Sequence, residues 1–194
     1  MKQKRKIKKS FLKEQYSLSL NYLRESSKFV YISIGIFFLF AILGYFFPVF
    51  FKEEIIKFIQ ELINQTKDMG QLELTRFIFL NNLQSSFLGL FFGLLFGIFP
   101  IAVAIVNGYV LGFVSSITIG EEGFLVLWRL LPHGIFELPA VFISLGLGLK
   151  LGSFVFRKGW RGGILNSFRV FVFIVMPLLI IAAIIEGGLI YFIR

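Results

Sequence analysis

The sequence predicts an all-α integral membrane protein with about five transmembrane helices, and three observations predict it. Of its 194 residues, 57% are hydrophobic and 16% charged, against about 45–50% and about 25% in soluble domains. Phenylalanine occurs 27 times, more rings than an interior of this size can hide, so apolar surface must face lipid. The apolar residues also gather into five long runs. Composition thus excludes a soluble globular enzyme, a disordered chain and a secreted disulfide scaffold. With no cysteine, disulfides, thiol nucleophiles and thiolate metal sites are excluded as well.

Residues 1–28 form a basic arm. It carries Lys2, Lys4, Arg5, Lys6, Lys8, Lys9, Lys13, Arg24 and Lys28 against Glu14 and Glu25. The expectation is a cytoplasmic tail, helical from about Phe11 and lying on anionic headgroups. In a soluble chain a net charge of +9 would raise nucleic acid as a partner. Here the basic residues sit in the arm and in one loop, so the charge reads as topology and no nucleic acid is expected.

Residues 29–194 read as a single transmembrane domain. Phe29 to Phe51 is uncharged and long enough to cross a hydrocarbon core of about 30 Å, with Pro48 near its far end. Residues 52–66 place Ile55, Ile56, Phe58, Ile59, Leu62 and Ile63 at helical spacing beside Glu53, Glu54, Lys57 and Glu61, an amphipathic interfacial helix. Asp68-Met69-Gly70 reads as a turn. The uncharged stretch from Phe77 to Gly120 is too long for one crossing. It divides into spans at 77–98 and 100–119, joined by a turn near Phe99-Pro100. Within it Gly89, Gly93 and Gly97 recur every four residues, a small-residue stripe suited to packing inside the bundle or to homodimerisation. After the acidic Glu121-Glu122-Gly123 loop come a fourth segment at 124–149, a basic glycine-rich loop from Lys150 to Arg169, and a fifth span at 170–193 interrupted by Glu186 and bent at Pro177.

Charge then orients the chain. The arm and the Lys150–Arg169 loop carry the basic excess, and the 52–76 and 121–122 loops do not. Five spans put both basic regions on one side, which gives a cell-membrane protein with a cytoplasmic N-terminus and an extracytoplasmic C-terminus.

The fourth segment carries the chemistry. In WRLLPHGIFELPA, residues Arg129, His133 and Glu137 are four apart, so a continuous helix lines them on one stripe. The segment's midpoint falls near Phe136, which places His133 and Glu137 near the bilayer centre. A charge there costs about 3 kcal/mol on insertion scales, so these groups need partners. Pro132 and Pro139 with Gly134 predict a broken or re-entrant helix whose freed backbone groups are sheltered by protein or water. Asn107 and the Asn81-Asn82-Gln84 cluster are the candidate polar partners from other spans. Three readings remain open. The polar groups can clamp the bundle, line a path for a small ion or polar solute, or serve an intramembrane hydrolase. The hydrolase lacks support in the residues. A catalytic zinc needs three protein ligands, His133 is the only histidine, and HGIFE is not HExxH. No metal or other cofactor is expected.

The stretch from about Asn81 to Gly152 resembles the stage II sporulation protein M family. The residues that carry the resemblance are Asn81-Asn82 with the glycine-rich second span, Gly97 to Pro100, Asn107-Gly108 with Leu111-Gly112, and above all Leu131-Pro132-His133-Gly134-Ile135-Phe136-Glu137-Leu138-Pro139-Ala140. Gly146 to Gly152 looks like the small-residue tail that follows. The resemblance implies a membrane-embedded, non-enzymatic anchor or scaffold subunit. In endospore formers such a protein assembles with two cell-wall-degrading partners at the sporulation septum. The partners expected here are therefore the lipid bilayer and other membrane or envelope proteins, met by the basic arm and the 52–66 helix.

Overall fold

The structure, a computed structural model, describes residues 2–123, 131–155 and 159–193. Its elements are α1 (Lys2–Glu25), α2 (Ser27–Phe46), α3 (Lys52–Thr66), α4 (Gln71–Phe91), α5 (Ile98–Glu122), α6 (Leu131–Phe154), α7 (Trp160–Val170) and α8 (Met176–Ile193). Five stretches among the described residues are long and apolar enough to cross a membrane: Ser27–Phe46, Gln71–Leu94, Ile98–Gly120, Gly134–Ser153 and Trp160–Tyr191.

The charged ends shape this layout. The arm is helical from Lys2, earlier than Phe11, and α1 bends into α2 at Ser26 (φ −95°, ψ −4°). The first span stops at Phe46, short of the expected Phe51, since Pro48 has no N–H with which to continue it. Tyr109 of α5 secures the corner that follows: its hydroxyl donates to the Phe47 carbonyl at 2.8 Å and accepts from the Phe50 N–H at 3.0 Å. The amphipathic helix α3 covers residues 52–66 as expected. α4 opens at Gly70, whose N–H donates to Glu73 Oε2 at 3.2 Å, as at other helix starts where a side chain takes an end N–H.

The turn between the second and third spans lies at residues 95–97, earlier than Phe99-Pro100. Phe96 and Gly97 both adopt positive φ there (56° and 72°). Pro100 sits instead in the first turn of α5, where no backbone donor is needed. The glycine stripe packs within the chain. A Cβ on Gly93 would run into the backbone of Gly148, and one on Gly152 into Gly93 and Gly97. α2 and α5 approach as closely, with Gly44 against Tyr109, Gly108 against Phe37 and Gly112 against Ala41.

Two sequence expectations are corrected. α6 is helical from Leu131 to Phe154, through Pro132 and Pro139, where a helix broken at these prolines is expected. Pro132 falls in the first turn, where its missing N–H is free of consequence. Pro139 sits inside the helix, a position tolerated in membrane spans when neighbours shelter the freed carbonyl. The basic loop from Lys150 to Arg169 is also largely helical. α6 carries Lys150 into the bundle at 5% exposure, and α7 takes up residues 160–170. α7 passes into α8 through one wide turn at Phe171–Val175, in which the Met176 N–H bonds to the Phe171 carbonyl five residues back. This π turn comes just before Pro177, the residue that cannot donate, where a bend is expected.

The main core lies where α4, α6 and the α7–α8 helix meet: Leu90, Ala140, Leu147, Val170, Val175 and Leu179 are buried together. A second cluster of Leu74, Ile78 and Ala183 closes α4 on α8.

Candidate functional site

In α6, Glu137 lies six residues from the N-terminal Leu131, in the second turn. It therefore stands toward the end of the bundle away from α1, not at the midpoint that the sequence suggests. α4 brings Asn82 to it and α8 brings Glu186. The Glu137 carboxyl is hydrogen-bonded to Glu186 and to the side chain of Asn82, and all three residues are half-buried. The arrangement ties three spans through one polar knot. Close packing flanks it on α8, where a Cβ on Gly187 would meet Thr75 of α4.

The other sequence candidates divide. Arg129 lies outside the described residues. His133 and Pro132 fall in the first turn of α6, and their side chains lie outside the described residues. Gly134 continues that helix, with the Leu138 side chain 3.6 Å from its Cβ position. Asn107 does not join the knot: it is exposed on α5 and its Nδ2 donates to the Val103 carbonyl of its own helix at 2.9 Å. Asn81 is exposed too, one residue and therefore about 100° round the helix from Asn82. Gly89, Gly93 and Gly97 act in packing against α6, at Leu145, Gly148 and Leu149.

Sequence reasoning missed two things. Glu186 reads only as an interruption of the fifth span. The signal that could have found it is chemical: a second acid in the same lipid-facing chain needs a partner, and Glu137 is the other one. The second is Lys150, which bridges α6 to the α1–α2 bend. Its Nζ donates to Ser26 Oγ at 2.9 Å and stands 3.7 Å from the Tyr22 ring centre. Ser26 Oγ in turn donates to the Tyr22 carbonyl at 2.6 Å. Tyr22 continues the link to α7, its hydroxyl 3.3 Å from the Gly163 carbonyl and accepting from Ser167 Oγ at 3.4 Å. Further along, Arg169 Nε donates to Gln15 Oε1 at 2.7 Å. The basic arm is thus fastened to the bundle.

A family model described as "Stage II sporulation protein M" matches residues 33–189, from the first span to the last. No curated protein matches, and no solved structure matches.

Proposed function

We propose, since the chain belongs to the stage II sporulation protein M family, that this multi-pass membrane protein is a non-enzymatic scaffold or anchor subunit of an envelope complex in the cell membrane. The observation that carries the reading is the Glu137–Glu186–Asn82 knot. Its side chains meet across three spans, which is what a rigid bundle needs. Interhelical hydrogen bonds in membranes contribute about 0.6–2 kcal/mol each. The surfaces left for partners are the ends: the α3 helix on one face and the basic arm on the other. The basic excess of α1 and α7 puts them in the cytoplasm and α3 outside.

The test compares wild type with Glu137→Ala and Asn82→Ala. The scaffold reading expects each variant to lose about 0.6–2 kcal/mol of stability in detergent unfolding, with lower recovery of the native complex. It also expects proteoliposomes of all three proteins to show the same pH-dependent ion flux as protein-free vesicles. A flux that appears with wild type and disappears with Glu137→Ala would overturn the reading in favour of an ion or solute path.

A further inference from the structure

α1 and α2 share one stripe that crosses their bend. Leu20, Leu23, Arg24, Ser27, Val30 and Tyr31 follow at spacings of three and four, so they lie on one helical face. Ile143 of α6 stands opposite, and between them is a cavity of about 270 Å³. Its wall is apolar at Leu20, Leu23, Val30 and Ile143, all half-buried, whereas Arg24, Ser27 and Tyr31 are exposed at its edge. Among the described residues the lining holds one cation and no acid. The neighbouring Glu25 acts instead on Tyr22 and Lys150. The bend marks the border between the charged arm and the first apolar span, which is where a bilayer's headgroups meet its chains.

We propose that this corner is a binding site for one anionic phospholipid of the adjoining leaflet. The Arg24 guanidinium, a planar fork of donors matched to phosphate oxygens, takes the phosphodiester, with the Ser27 hydroxyl as a further donor. The upper part of an acyl chain lies against Leu20, Leu23, Val30 and Ile143. Tyr31, 71% exposed, flanks the headgroup as interfacial tyrosines do. The charge around the site selects an anionic over a zwitterionic lipid, since the first 28 residues carry nine basic side chains against two acids. The fastened arm makes the site a formed corner: Lys150 holds Ser26 and Arg169 holds Gln15, so the angle between α1 and α2 exists before a lipid arrives. The proposal goes beyond the scaffold reading and does not depend on it.

The full-length protein, purified in mild detergent, is titrated with phosphatidylglycerol, with phosphatidylcholine and with inorganic phosphate, and retained ligand is counted by native mass spectrometry. The expected result is one tightly held phosphatidylglycerol per chain, bound about tenfold more weakly by Arg24→Gln. Ser27→Trp, which fills the cavity from an exposed position, is expected to lose it too. Lys13→Gln, on the same helix but outside the cavity, is expected to bind as wild type does. Unfolding curves matching wild type establish that Arg24→Gln and Ser27→Trp are folded. Equal weakening by Lys13→Gln would overturn the proposal in favour of diffuse charge. Equal retention of phosphatidylcholine, or displacement of the lipid by inorganic phosphate, would overturn it as well.

Discussion

At the scale of single residues, Tyr22 joins the arm to the bundle. It packs into the main core beneath the Lys150 ammonium. Burial pushes its phenol above the ordinary value of 10.0, the hydrogen bond from Ser167 opposes that shift, and the nearby Glu25 charge adds to it. The folded protein therefore holds this proton to higher pH than the unfolded chain does. The resulting stability is whole below the unfolded value of about 10 and is lost as pH rises through the higher folded value. Tyr22→Phe should flatten the alkaline loss of stability, read from unfolding midpoints followed from neutral pH to above about 10. Its cost at neutral pH should stay near 1 kcal/mol, the scale of a lost neutral hydrogen bond. An unchanged alkaline slope would assign the titration elsewhere. Nothing in the order of residues announces Tyr22, because its partners are 141 and 145 positions away. Glu137 was legible because an acid in an apolar run is costly wherever it lies. Its pairing with Glu186 was not, since spacing along one helix says nothing about which neighbour faces it. Asn107 illustrates the converse: a polar residue in a span can satisfy its own helix and need no partner.

At the scale of elements, glycine decides where helices touch. Gly112 stands against the Ala41 carbonyl, whereas Gly35, on the other helix of the same pair, has nothing within 4 Å of its Cβ position. Gly112→Ala should therefore destabilise by about 1–3 kcal/mol, the usual cost of overpacking. Gly35→Ala should be neutral or gain about 0.5–1 kcal/mol from its higher helix propensity. Equilibrium unfolding of the two variants checks both signs. Apolar runs and charged boundaries made the five spans and α3 readable, because lipid imposes its thickness directly on composition. The continuity of α6 was not readable. Proline's local cost predicts a break, and only the surrounding helices decide whether the freed carbonyl is sheltered. The helix α7 was hidden for a related reason: Gly159, Gly162 and Gly163 read as loop, yet a helix fastened to Tyr22 and Gln15 outweighs their poor propensity.

At the scale of the whole molecule, the order of spans sets which surfaces share a side. α1 packs on α7, and α3 follows the opposite end of the first span. The chain contains no cysteine, so single-cysteine labelling reads topology cleanly. A cysteine at Thr66 should react with an impermeant reagent added to intact cells, and one at Lys13 only after the membrane is opened. Reaction of Thr66→Cys from the cytoplasmic side alone would reverse the orientation. The π turn at Phe171–Val175 carries a consequence at the same scale. One surplus residue advances the helix by about 100°, so the angular phase of α7 is offset from that of α8 although the helix passes from one to the other without a break. The face that α7 turns to the arm is thereby rotated from the face that α8 turns to α4 and α6.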